Sequence, residues 1–165
     1  MKIKPLVISA MLVAVSFIGA NIKIMNTIAF DSMPGFFASI FLGPVYGAVI
    51  AAMGHFFTAM LSGFPLSLPV HILIMLDMVI TMLMFGNIYS KLIKKGASPL
   101  TSIIIAGIAG VIINGPGSIV LLLPFLLPMM GETGILLYLP VLSGAAALNI
   151  ILAFVVYRSV MKINL

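Results

Sequence analysis

His55, His71 and Asp77 lie near one another in the stretch MGHFFTAMLSGFPLSLPVHILIMLDM, residues 53 to 78, where most other side chains are apolar. Imidazole accepts and donates hydrogen bonds, titrates near neutral pH and ligates metals, and a carboxylate can partner it in each role. These residue types admit three chemistries: metal binding, proton relay, or recognition of a polar ligand. The spacing weighs against the first, because His55 and His71 stand sixteen positions apart across a Pro-containing loop and form no recognised ligand pattern. No metal site is expected. The chain also lacks a GxSxG elbow, an HExxH helix, a Walker A loop and an acidic cluster of the kind that holds magnesium. No catalytic residue is assigned, and the chain is not read as an enzyme.

The surroundings explain why so few polar groups carry so much weight. Of 165 residues, 63% are hydrophobic and 7% charged, and the mean hydropathy is +1.36. A charge at the centre of a bilayer helix costs roughly 3 kcal/mol even on lenient insertion scales. This composition belongs to an integral membrane protein. The net charge of +5 arises from basic residues scattered near helix ends, which fits membrane topology and not nucleic acid binding. With no cysteine there is no disulfide framework. The start, MKIKPLVISAMLVAVSFIGANIKIM, imitates a signal peptide, but its apolar stretch exceeds the roughly 7–15 residues of a signal core. It is read as a retained first span.

An all-α bundle of six spans is expected, forming a single transmembrane domain over residues 1–165, with spans at about 5–24, 33–43, 44–62, 68–90, 99–127 and 134–157. A span needs roughly 20 residues, so 33–62 is too long for one helix, and LGPVYG breaks it at Gly43 and Pro44. Two crossings there keep Lys91, Lys94, Lys95, Arg158 and Lys162 on the side of Lys2 and Lys4, as the positive-inside rule requires. Both termini are then cytoplasmic. A re-entrant hairpin over 33–62 has the same parity, and the short second span needs thinning, tilt or shielding by protein.

This topology puts residues 26–35 and 62–71 at the outer face. His71 then starts span 4, Asp77 lies about 9 Å deeper, and His55 sits at a comparable depth on span 3. Asp77, an ionisable group within a span, is read as functional. His55 equally suits a bond to a neighbouring helix. Asp31, in the first outer loop, suits either a ligand contact or, with Ser32, a cap for span 2. Span 5 is interrupted by INGPGS, and such breaks free backbone groups and line cavities, which draws attention to Asn114. Tyr138, near the outer end of span 6, is a cavity residue or an interfacial anchor, and Glu132 precedes it in a loop. In span 1, SAMLVA sets Ala10 and Ala14 four apart on one face, where another backbone can approach closely.

The segment FFASIFLGPVYGAVIAAMGH followed by GFPLSLPVH resembles the S components of energy-coupling-factor (ECF) vitamin transporters. These are six-span membrane subunits of this size, with an LGPxxGxxxG-like segment between spans 2 and 3. Leu42, Gly43, Pro44 and Gly47 match it, while Ala51 stands where a further glycine often occurs. The resemblance implies a subunit that binds substrate from outside and topples in the membrane to deliver it inward. It implies no cofactor in this chain, ATP being used by two cytoplasmic ATPases joined to a transmembrane coupling subunit. Ala10 and Ala14 match the alanine-xxx-alanine face by which S components dock on that subunit.

The run AFDSMPGFFASIFLGPVYG is similar to the group that takes up alpha-ribazole, a benzimidazole nucleoside used in cobamide salvage. On that reading Asp31, His55, His71, Asp77 and Asn114 pair ribose hydroxyls and ring nitrogens, and Phe36, Phe64 and Tyr138 offer stacking surfaces. Riboflavin, another vitamin or a queuosine precursor suits the same inventory. Two other classes stay open from the residues themselves. A membrane enzyme or accessory subunit acting on isoprenoid or lipid substrates would show turnover by the isolated protein. A proton-coupled carrier using Asp77 and His55 would transport alone on a pH gradient.

Overall fold

Proline punctuates this chain at helix starts, where its missing N–H is no loss and its fixed φ suits the first turn. It occupies the first or second position of α2 (Met33–Phe41), α3 (Pro44–Leu61), α4 (Leu68–Lys94) and α5 (Pro99–Ile112). These follow α1 (Ile3–Ala20) and a small antiparallel hairpin, β1 (Lys23–Ile24) with β2 (Ile28–Ala29). A π-helical turn, Ile113–Gly117, then joins α5 to the long α6, Ser118–Ile163. The computed structural model describes residues 3–21, 23–24 and 28–163. Lys2 of the expected inner basic cluster and positions 26 and 27 of the first outer loop lie outside them.

Four stretches are long and apolar enough to cross a membrane: Ile3–Ala20, Pro44–Leu61, Leu68–Lys94 and Pro99–Lys162. The architecture is therefore helical and membrane-embedded, but it does not resolve into six full-length spans. Two local features account for the difference. The nine residues of α2 extend about 14 Å, under half of a hydrocarbon core of about 30 Å. The final stretch has no loop where residues 128–133 were expected to supply one; a single residue, Gly131, interrupts α6 with φ 66° and ψ 178°. That backbone conformation costs glycine little and other residues much.

Packing shows what Gly131 does to the path of the chain. A Cβ at Gly115 would stand 3.1 Å from Ser143 Cα, and one at Gly110 would stand 3.1 Å from Ile150 Cδ1. Positions on either side of Gly131 thus meet in reverse order, so residues 132–163 run back along α5 and the π turn.

The short α2 is the wedge at the centre. Pro34 to Ser39 are all buried, and Phe36 meets Phe85 of α4 edge-to-face with ring centroids 5.0 Å apart. Met78, Met82, Ile103, Ala106 and Ile150 complete this core from α4, α5 and α6. A helix buried in protein over most of its length can be shorter than the bilayer, because protein and not lipid covers most of its backbone. Leu42 and Gly43 both donate backbone bonds to the Ala38 carbonyl, at 2.8 and 3.0 Å, and the chain turns at once into α3. Small residues permit that close return. A Cβ added to Gly35 would lie 2.8 Å from Ala51 Cβ, and one added to Gly47 would lie 2.6 Å from the Gly35 carbonyl oxygen. Ala51 is thus accommodated because the glycine opposite it sits on α2.

Candidate binding site

The loop before α2 and the outer ends of α3 and α4 bring three of the sequence-predicted residues into one chain of contacts. His55 Nδ1 stands 3.6 Å from Asp31 Oδ2, both side chains nearly buried. His55 Nε2 lies 3.1 Å from His71 Nδ1, and the two rings are 5.3 Å apart and tilted by 34°. Asp31 makes no cap bond to α2; Ser32 holds the cap position, and its side chain makes no cap bond either. The Asp31 carbonyl accepts a hydrogen bond from Ser16 Oγ of α1, which ties the loop to that helix. Space for this contact comes from Gly54, next to His55, since a Cβ there would lie 2.8 Å from Ser16 Cβ.

These residues border a cavity of about 260 Å³, close to the lower end of the ~300–1,000 Å³ common for small-molecule sites. Asp31, His55 and His71 contribute polar groups from the loop before α2, α3 and α4, and Asn114 and Tyr138 contribute them from the π turn and the part of α6 after Gly131, with Ile74, Met78, Leu122 and Leu142 among the apolar lining residues. Asn114 reaches it from the π turn. There Pro116 withdraws an N–H from the helical ladder and the widened turn re-aims the side chains around it. The loop between α3 and α4 closes over the cavity with Ser62, Pro65 and Leu66. It holds Phe64 and Ser67 at φ 51° and 77°, left-handed conformations that non-glycine residues adopt only under surrounding constraint.

Three of the predicted ligand residues do not border the cavity. Phe36 is fully buried in the core against Phe85. Phe64 packs edge-on behind His71, ring centroids 5.7 Å apart, and also meets Phe56. Asp77 is buried one step away, where its Oδ2 accepts a hydrogen bond from Ser118 Oγ, and Ser118 itself lines the cavity. Six residues apart on one helix, about 120° around its axis, His71 and Asp77 lie on different flanks of α4, and Ser118 links Asp77 to the cavity. Ser118, Thr58 and Gly54 escaped the sequence reading. Ser118 had a signal, being the final residue of the INGPGS break, whereas Thr58 and Gly54 are ordinary helix residues until the packing is known.

Ala10 and Ala14 lie elsewhere, both exposed on the face of α1 that also carries Val7, Met11 and Ile18. Among the described residues no group of three His, Asp or Glu side chains is placed to hold a metal ion.

A largely apolar cavity that carries a few polar side chains, inside a membrane-embedded helical protein, has the form of a small-molecule site. The family model for the substrate-specific component of ECF transporters matches residues 4–161, and the chain belongs to that family. Its members are transporter subunits and not enzymes, and membership implies a small-molecule substrate and partnership with the ECF membrane and ATPase modules. No curated protein and no solved structure matches the chain.

Proposed function

We propose that this S component captures alpha-ribazole, or a nucleoside of the same build, in the cavity beneath the α3–α4 loop and delivers it inward on the coupling module. The observation that carries this reading is the cavity itself. It is of nucleoside size, with polar groups at Asp31, His55, His71, Asn114 and Tyr138 and apolar side chains between them. A flat base joined to a sugar needs that alternation of apolar surface and fixed hydrogen-bond partners. Asp77 serves the site through Ser118, and Phe64 through the orientation of His71; Phe36 supports the helix that bears the site.

The reading includes a six-span topology with α2 as a short, protein-shielded second span, Gly131 as the turn between the last two, and both termini cytoplasmic. Docking on the coupling subunit is assigned to the Ala10 and Ala14 face. The inward step is a toppling of the whole S component, driven by ATP hydrolysis in the partner subunits.

Titration of the purified chain in detergent or nanodiscs tests the substrate. Alpha-ribazole is expected to raise the melting temperature, with riboflavin and queuosine precursors giving no shift. No shift with alpha-ribazole overturns the substrate assignment, and a shift with another vitamin replaces it.

A further inference from the structure

Several cavity groups have their protons already committed. Thr58 Oγ1 donates to the Gly54 carbonyl at 2.9 Å, and Ser118 Oγ donates to Asp77. Each hydroxyl has one proton, so what these two side chains keep for the cavity is lone pairs. The histidine pair follows the same logic. The Asp31 carboxylate, an acceptor, faces His55 Nδ1 and favours the proton on that nitrogen, as a carboxylate does when it orients a histidine. In neutral imidazoles His55 Nε2 is then an acceptor, and it can bond His71 Nδ1 only if His71 carries its proton there. His71 Nε2 is left bare. His71 is 6% exposed, borders the cavity, and its Nε2 has no hydrogen-bond partner among the described residues.

A buried acceptor without a partner is costly, and the cavity that His71 borders offers a source of one. We infer that Asp31 and His55 act as a tautomer relay that presents His71 Nε2 as a hydrogen-bond acceptor, selecting substrates that offer an O–H or N–H donor at that point. Asp31 and His55 are positioning residues; His71 makes the contact. Thr58 and Ser118 add acceptor lone pairs, while the Asn114 amide and the Tyr138 hydroxyl can donate. A donor-rich sugar thus belongs against His71 and Thr58, and an acceptor-bearing ring toward Asn114 and Tyr138. This orientation rests on the nucleoside reading above, whereas the relay does not.

With only two histidines in the chain, imidazole ¹⁵N spectra of the full-length protein in nanodiscs at mildly alkaline pH resolve four ring nitrogens. Both Nδ1 atoms are expected as protonated, pyrrole-type signals and both Nε2 atoms as bare, pyridine-type signals, with Asp31→Asn shifting the pattern of both rings. A pyrrole-type His71 Nε2, or a pattern indifferent to Asp31→Asn, overturns the relay whatever the substrate is.

The donor requirement is read by binding of alpha-ribazole and its 2′-, 3′- and 5′-deoxy analogues. One of the three is expected to bind roughly tenfold more weakly than the parent, and that ratio is expected to collapse to about one in His71→Phe. Equal affinities in the wild-type protein, or a ratio unchanged in His71→Phe, overturn the sugar-to-His71 orientation. If alpha-ribazole does not bind at all, the substrate reading falls and the tautomer result alone decides the relay.

Discussion

Helices α1 and α4 are both long enough and apolar enough to span a bilayer, yet the protein uses them in opposite ways. In α4, nine residues are buried, from Val70 near one end to Tyr89 near the other. In α1 the buried residues are Ser16, Gly19 and Ala20, all in its last turns. There Ser16 bonds the Asp31 carbonyl, and a Cβ at Gly19 would come within 2.6 Å of the Phe30 carbonyl oxygen. So α4 is a structural wall of the cavity, whereas α1 is fastened at its last turns, rests on the core through partly buried residues such as Leu12, and leaves the face that carries Ala10 and Ala14 exposed. Hydropathy does not separate the two roles. On the proposed docking small residues do: Ala10 and Ala14 keep the exposed face of α1 low enough for another helix to lie on it.

The largest expected effect breaks this contrast on the α1 side. Leucine at both positions, in an Ala10→Leu/Ala14→Leu double variant, adds bulk to a close helix contact. At about 1–3 kcal/mol for each overpacked side chain, assembly with the coupling module should weaken by roughly thirtyfold or more. ATP-driven uptake in reconstituted vesicles should be lost while ligand affinity of the isolated subunit stays unchanged. If uptake persists, α1 is a lipid-facing helix and the docking assignment is wrong. Loss of ligand binding as well would show that the two ends of α1 are not separable.

A smaller effect probes the fastened end. In Gly54→Ala the new methyl meets Ser16, and neither α1 nor α3 can retreat without disturbing the Ser16 bond to Asp31. The expected loss is about 1–3 kcal/mol, seen as a lower melting temperature together with weaker ligand binding, because Asp31 moves relative to His55. An unchanged melting temperature would mean that the α1–α3 crossing has slack. A lower melting temperature with full affinity would mean that the anchor supports α1 without positioning the relay.

How much of this was legible in the sequence follows from the range of each cause. The membrane class and the α2/α3 break at Gly43–Pro44 depend on local composition, and a first pass along the chain finds them. His55 and His71 stood out because ionisable groups are rare in such surroundings. Their contact with each other and with Asp31 depends on how α3 returns along α4, and spacing alone does not specify that. Phe36 and Phe64 illustrate the converse: aromatic character suggested stacking, but the side to which each ring turns is set by tertiary packing, and both turn away from the cavity. The missing loop near 131 has the most local explanation. One glycine in a left-handed conformation reverses the chain, and a lone Gly in an apolar run looks the same whether it turns the helix or continues it.

The smallest expected effect concerns the part of the cavity lined by the last helix. Tyr138 keeps its ring in Tyr138→Phe and loses only its hydroxyl, so the substitution separates stacking from donation. If that hydroxyl bonds an acceptor on the ligand's ring, affinity should drop by roughly threefold to tenfold, the worth of one hydrogen bond of about 0.5–1.5 kcal/mol. The deoxy-sugar analogues should lose affinity by the same factors in this variant as in the wild type, because in the proposed orientation their missing group faces His71 and Thr58. Competition binding with alpha-ribazole measures both quantities. An unchanged affinity would reduce Tyr138 to an apolar surface. A change in the sugar discrimination would mean that the two sets of side chains read the same end of the ligand, and the assignment of acceptors to one set and donors to the other would have to be given up.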